Sequence, residues 1–416
     1  MNAPSAFYDS LETRSPEQRQ AEQWVALREQ IAHAKSNAFY FGEILEGVEP
    51  GDVKTPADLA RLPVTRKSDL ASRQRALPPF GGLEAVARAK LKHFFQSPGP
   101  IYEPDGFMRD HWRFARAMWA AGLRPGDLVL NCFSYHLTPA GMMVESAAHA
   151  IGCPVIPGGT GNTELQLQAI HDLKPVAYGG TPSFLRILLQ KGRELGMETA
   201  SLKKAHVGGE ALPPSLRREI NDLGCAVLQG YGTADLGLIA YESQAMEGMI
   251  VDEGVWLEIV RPGTGDPVAP GEVGEVVVTS LVNREYPLIR FATGDLSAIL
   301  PGTSPCGRTN LRIRGWMGRA DQTTKVKGMF VTPGQIAQVL ARHADIAKGR
   351  LEVSSKDNTD VMVLKVELRE GAASDALEAV AASLQTICKV RGSAEAVAPG
   401  SLPNDGKVIA DLRTYQ

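Results

Sequence analysis

No charge of one sign predominates in this sequence. Its 44 Lys and Arg nearly balance 47 Asp and Glu, for a formal net charge of -3. That balance gives no reason to expect nucleic acid or a membrane surface as partner. A few local cations would still suffice to hold a polyanionic ligand. Cysteine is also scarce. Cys132, Cys153, Cys225, Cys306 and Cys388 are odd in number, far apart, and form no Cys-x-x-Cys pair. A disulfide framework or structural zinc site is therefore not expected, and a reducing compartment is. No apolar run reaches the ~20 residues that a bilayer span requires. Met1 to Ser10 contain no basic stretch followed by an apolar one, so no secretory signal is read there. These absences lead to the expectation of a cytoplasmic protein with no membrane partner. Internal repeats and low-complexity segments are missing too.

What is present is an ordinary globular balance, 44% hydrophobic and 22% charged, over 416 residues. That length favours two or three domains. Pro16 to Ala38 has helical periodicity, with Trp24, Leu27, Ile31 and Ala34 on one face. Thr55 to Leu70 reads as short helix, turn, short helix. From Gly126 to Gly237 apolar runs alternate with amphipathic segments. The runs are 128–130, 154–156, 176–178 and 226–228; the amphipathic segments are 141–150, 163–173, 182–195 and 214–223. Strand–helix alternation of this kind predicts parallel α/β layers. After Gly248 short β-branched runs at 256–260 and 275–279 predict antiparallel strands, a small β-barrel-like part. From Gly318 the pattern is α+β, with strands at 350–353 and 361–368 and a helix at 373–386. The fold class expected is α/β: a large N-terminal domain over 1–317 and a smaller, mobile α+β domain over 318–416. The apolar runs 361–368 and 376–384 could support a homodimer.

Four stretches carry candidate chemistry. In Gln229-Gly230-Tyr231-Gly232-Thr233-Ala234-Asp235, glycines permit a tight turn after a buried strand. Thr233 and Asp235 offer a hydroxyl and a hard carboxylate oxygen, which suit phosphate and Mg²⁺. In Tyr286 to Asp295, an Asp after Thr-Gly can accept hydrogen bonds from two vicinal hydroxyls, as on a ribose. Gly315 to Gln322, followed by Thr324 to Gly328, places Arg319 and Lys327 in a basic turn. Leu402 to Lys407 ends in a lysine. Each stretch alone is equally good turn or tail chemistry; their joint order and spacing is the signal.

Taken together, roughly from Leu62 to Lys407, these stretches resemble the adenylate-forming superfamily, and within it the phenylacetate–CoA ligase family. Arg61-Leu62-Pro63-Val64-Thr65-Arg66-Lys67-Ser68-Asp69-Leu70 is similar to that family's LP-x-T-x-K-x-DL segment. Pro157 to Leu167 with Thr181-Pro182-Ser183, Gly208-Gly209-Glu210-Ala211-Leu212, and Cys306-Gly307-Arg308 resemble three more of its motifs. The resemblance implies an acid–CoA ligase using ATP, Mg²⁺ and coenzyme A on a small carboxylic acid. It implies that Tyr231 stacks on adenine, that Gly208, Gly209, Glu210 and Gln229 line the base, and that Gly232, Thr233 and Asp235 sit by phosphate and Mg²⁺. It further places Asp295 on the ribose, Arg319, Lys327 and Gly328 by the nucleotide, and a hinge at Asp321. Lys407 would be the adenylating lysine. Phe133, Tyr135, His136, Ala140 and Gly141 would line an acid pocket, and their aromatic and apolar character suits an aryl or arylacetic acid.

Two departures from the family pattern are visible. Where a Ser/Thr/Gly-rich phosphate loop is expected, the chain has Ser97-Pro98-Gly99-Pro100. Pro98 and Pro100 each remove a backbone donor, so the segment cannot wrap a triphosphate in the usual way. The expected Ser/Thr-Glu pair is Ala234-Asp235. Three readings stay open: an acid–CoA ligase with a less grasping loop, an AMP- or acyl-adenylate-binding pseudoenzyme, and a synthetase passing the acyl group to a carrier-protein thiol or an amine.

Overall fold

The structure is a computed structural model that describes residues 5–320, 324–331, 333–357, 359–403 and 407–413. The chain divides into two compact units, 1–212 with 216–317, and 318–416 with 213–215.

The larger unit begins with the helix Pro16–Asn37. Ser15 caps it by accepting from the Gln18 N–H, and Pro16 stands in its first turn, where a missing N–H costs nothing. Leu27, Ile31 and Ala34 are buried and Trp24 packs beside them, as the periodicity predicted. The segment read as helix–turn–helix contains one more element: strand β1 (Thr65–Arg66) lies between helices Pro56–Ala60 and Lys67–Ala76. Two residues are too few for an alternation pattern to register. A hairpin follows, β2 (His93–Ser97) and β3 (Ile101–Asp105).

The α/β layer comprises β4 (Val129–Asn131), β5 (Val155–Pro157), β6 (Ala177–Gly180), β7 (Lys204–Val207) and β8 (Ala226–Thr233), all parallel. Helices Ala140–Ile151, Thr163–Leu173, Pro182–Glu194 and Pro214–Asp222 connect them. Alternate strand residues serve opposite faces. Leu130, Tyr178, Ala205 and Val227 pack with Leu167, Leu185, Leu188 and Leu216. Val129, Ala177 and Leu228 pack with Met118, Val144, Ala147 and Ile151. Burying both faces explains why these strands read as unbroken apolar runs.

Antiparallel β9 (Gly237–Glu242) and β10 (Met249–Val251) extend the same sheet. Gly237 lets the chain reverse, with φ +72 and no room for a side chain: a Cβ would lie 2.7 Å from the Trp112 carbonyl oxygen. The barrel-like part is a four-stranded sheet of β1, β11 (Val255–Val260), β12 (Gly274–Ser280) and β13 (Phe291–Ser297), with β1 and β11 at its edges. β14 (Ile299–Leu300) and β15 (Arg312–Ile313) complete the large sheet, whose order is β14-β15-β10-β9-β8-β7-β6-β4-β5.

The smaller unit holds the hairpin β16 (Thr324–Val326) and β17 (Met329–Val331). Its second sheet has the order β20-β19-β18-β21, from β18 (Ile346–Lys356), β19 (Thr359–Leu368), β20 (Ser393–Val397) and β21 (Ile409–Asp411). The apolar runs noted as candidate dimer surface are spent within this unit. Met362, Leu364 and Val366 of β19 share a core with Val380 and Leu384 of helix Ala376–Cys388. Among the described residues no helix is long and apolar enough to cross a membrane.

Candidate active site

Tyr231 and Asp295 come from different sheets yet meet directly. The Tyr231 hydroxyl donates to Asp295 Oδ2 at 2.9 Å and lies 3.3 Å from Thr293 Oγ1. Trp316 Nε1 donates to the other carboxylate oxygen at 3.0 Å. The Asp295 N–H donates to Thr293 Oγ1 at 3.1 Å, which fixes the turn that presents the carboxylate. Both Tyr231 and Asp295 are buried. A carboxylate gripped on each oxygen cannot rotate, and each oxygen keeps acceptor capacity for a ligand hydroxyl.

The glycine turn after β7 is tied to its neighbours. The Gly208 N–H donates to the Gly180 carbonyl at 3.2 Å, and Glu210 accepts from the Ser183 hydroxyl. Gly209 has φ +73, a conformation glycine adopts at no steric cost. Gln229 is drawn toward β9: its N–H and Nε2 donate to Glu242 at 3.0 and 2.9 Å, and Arg217 clamps both Glu242 oxygens. At Gly232 a Cβ would lie 2.6 Å from the Gly237 carbonyl oxygen, so the β8–β9 turn closes only on glycine. Thr233 Oγ1 accepts from the Leu236 N–H at 3.2 Å, so its hydroxyl caps the turn.

Asp235 is buried and ion-paired to Lys67 through Oδ2. Its Oδ1 is buried without a hydrogen-bond partner among the described residues. Lys67 opens the helix that follows β1, so the missed strand is what delivers it here. Close by in the electrostatic sense lies Glu103 of β3, also buried. The segment Ser97-Pro98-Gly99-Pro100 forms the turn of the β2–β3 hairpin, and Ser97 points inward to donate to Glu103. Glu103 Oε2 has no hydrogen-bond partner among the described residues.

Burial, reinforced by the charge of Asp235, raises the Glu103 carboxyl from 4.5 to about 8. A carboxyl so raised holds its proton more tightly folded than unfolded. Its contribution to stability is full below the unfolded value and is lost as pH rises toward 8. Glu103→Gln cannot ionise and is therefore expected to flatten this loss, becoming more stable relative to the parent as pH rises through 8. Thermal melts of both proteins from pH 5 to 9 test it; parallel curves would rule out a neutral Glu103.

The candidate acid-pocket residues follow β4. The chain leaves β4 for β5 on one side and then crosses to β6 on the other. The carboxyl ends of β4 and β6 thus form a topological switch point, the usual ligand crevice of such sheets. The Tyr135 hydroxyl donates to Glu145 Oε2 at 2.7 Å and accepts from Asn131 Nδ2 at 2.7 Å. Gly141 permits this packing, since a Cβ there would come within 2.8 Å of the Tyr135 ring. Ala140 opens the helix Ala140–Ile151, His136 is exposed, and Phe133 packs against the core that includes Val129 and Leu228.

The remaining predicted residues lie in the smaller unit. Lys327 and Gly328 form the two-residue turn of the β16–β17 hairpin, and the Lys327 N–H donates to Asp360 Oδ2 at 2.7 Å. Both have positive φ, the geometry of a primed hairpin turn. Arg319 is half-buried and Lys407 exposed. Asp321, the expected hinge, lies outside the described residues.

Comparison with known proteins agrees with this frame. The family described as "AMP-binding enzyme" matches residues 104–283. A phenylacetate–coenzyme A ligase of Thermus thermophilus is 31% identical over 381 residues, covering 88% of this chain and 84% of its own. One from Escherichia coli is 32% identical, covering 87% and 85%. The chain belongs to the phenylacetate–CoA ligase family. It is an AMP-forming acid–CoA ligase, activating a carboxylic acid with ATP for transfer to CoA. A crystal structure of 2-hydroxyisobutyryl-CoA ligase, in complex with 2-HIB-AMP and CoA, superimposes with a TM-score of 0.84 at 27% identity, over 99% of this chain and 94% of that one.

The ligase's Asp235 fits the family's Mg²⁺ in kind. A buried carboxylate oxygen without a partner is a hard ligand awaiting one. Among the described residues no group of three or more His, Cys, Asp or Glu converges to hold an ion. That suits a metal that takes one or two carboxylates and finds its other ligands on phosphate and water. Sequence reasoning assigned no role to Lys67, Trp316, Asn131, Glu145 or Glu103. Lys67 and Trp316 stood inside recognised motifs, a signal that was available. Asn131, Glu145 and Glu103 gave none, because only the fold brings them to their partners.

Proposed function

We propose that this ligase activates an aryl or arylacetic acid in two half-reactions. The acid's carboxylate oxygen attacks the α-phosphorus of ATP, forming the acyl-adenylate and releasing pyrophosphate. The CoA thiol, losing its proton, then attacks the acyl carbon and AMP leaves. The observation that carries the reading is the joining of buried Tyr231 and Asp295 with half-buried Trp316 in one cluster. In this reading Asp295 takes the two ribose hydroxyls, with Tyr231 against the base. Gly208, Gly209 and Glu210 border the base, and Arg319 contacts ribose or phosphate. Asp235 would hold Mg²⁺, which when bound neutralises phosphate charge. Lys407 stabilises the negative charge developing at the α-phosphate. That role is read from the resemblance of the Leu402 to Lys407 segment to the family's lysine motif. Five unpaired cysteines support a cytoplasmic setting.

A second substrate reading is a small hydroxylated aliphatic acid, favoured by the whole-chain likeness to 2-hydroxyisobutyryl-CoA ligase. A pyrophosphate-release screen over aryl, arylacetic and short aliphatic acids, with and without CoA, separates the readings. Release with an arylacetic acid, and a thioester only when CoA is present, is the expected result. Release unaffected by CoA, with the adenylate passed to an amine or carrier protein, would overturn the acceptor. No release with any acid would leave the pseudoenzyme.

A further inference from the structure

The hydrogen bonds around Tyr135 have a polarity. A tyrosine hydroxyl has one proton and two lone pairs. Here the proton goes to Glu145 Oε2 at 2.7 Å, and one lone pair receives Asn131 Nδ2 at 2.7 Å. Asn131 is itself fixed, since its Nδ2 also donates to the Gly141 carbonyl at 2.8 Å, and its Oδ1 accepts from the Phe133 N–H at 3.2 Å. The direction is not reversible: an amide nitrogen can only donate, and an ionised carboxylate can only accept. Burial and the Glu145 carboxylate push the phenol of Tyr135 well above its ordinary range, so it keeps its proton. What Tyr135 has left to offer a ligand is a lone pair.

We propose that Glu145 is a specificity-determining residue of this ligase: by claiming the Tyr135 proton, it makes the acid pocket select acids that carry a hydrogen-bond-donating hydroxyl or amino group. The inference rests on the proposed placement of the acid beside Tyr135. That placement agrees with the position of Asn131, the last residue of β4, at the switch point between β4 and β6. A site that accepts a substrate proton discriminates, because an analogue without one forgoes that hydrogen bond and leaves the remaining Tyr135 lone pair unmatched in a water-poor pocket. Glu145 acts through Tyr135 and is not itself a catalytic residue.

The test uses two matched pairs, 4-hydroxy- against 4-methoxyphenylacetate and 2-hydroxyisobutyrate against isobutyrate. kcat/KM for pyrophosphate release is compared in the parent, Glu145→Met and Glu145→Gln, with acid binding measured in parallel by calorimetry. The parent is expected to prefer the hydroxylated member of the pair it accepts by about tenfold or more. Glu145→Met frees the Tyr135 proton and should shrink that preference severalfold, through the hydroxylated acid's KM more than through kcat. Glu145→Gln still offers a carbonyl acceptor and should retain most of the preference, which separates a directed hydrogen bond from simple packing. Equal use of both members by the parent, or an unchanged ratio in Glu145→Met, overturns the inference. A preference seen in binding without any pyrophosphate release would instead overturn the activation reading and leave the inference standing. Failure of all four acids to bind overturns both.

Discussion

Lys407→Ala is expected to slow adenylation on the order of 10²–10³-fold, the usual cost of removing one charge-stabilising donor from a reacting oxyanion. Thioester formation from a supplied acyl-adenylate should persist at a substantial fraction of the parent rate. The reasoning is that a cation is needed where charge builds on the α-phosphate, and the second half-reaction disperses that charge as AMP departs. Lys407 is exposed on its own unit, so the substitution should leave the fold intact. Acid-dependent pyrophosphate exchange reports the first half-reaction, and single-turnover thioester formation the second. An equal fall in both, in a folded variant, would remove Lys407 from its assigned role.

Asp295→Ala should be nearly as severe for a different reason. The carboxylate holds the Tyr231 hydroxyl and the Trp316 indole at 2.9 and 3.0 Å in a buried setting. Its removal takes the carboxylate acceptor from both donors, a loss of about 1–3 kcal/mol. It also deletes the acceptor that we propose for the ribose. The expected result is a rise in the KM for ATP of about tenfold or more, with a melting temperature lower by about 5 °C or more. Asp295→Asn keeps one carbonyl oxygen but turns an NH₂ toward a donor, so it should fall between the two. An Asp295→Ala variant that melts lower yet binds ATP normally would make the cluster purely structural.

Much of this architecture was legible in the residues. The helices of the α/β layer and its parallel strands announce themselves because both faces of the sheet are buried, which gives long apolar runs between amphipathic segments. The pairing of Tyr231 with Asp295 could be anticipated only through a resemblance, since 64 residues separate them and each lies in good turn sequence. What stayed hidden was of two kinds. Elements of two residues, such as β1, are too short to show a period. Side-chain partners are hidden for a deeper reason: whether Ser97 faces solvent or Glu103, or whether Gln229 is held by Glu242, depends on the strand opposite. Sequence spacing does not encode that. The hairpin form of the proline-bearing segment was not foreseen, because Pro-Gly-Pro is compatible with several turns.

That hairpin bears on the energetics of turnover. Its tip includes Pro98 and Pro100, which have no N–H, and its serine hydroxyl is spent on Glu103. Such a tip offers the leaving group little to cling to. Inorganic pyrophosphate should therefore be a feeble product inhibitor, and its prompt escape would drive the first half-reaction forward even where the chemical step itself is close to balance.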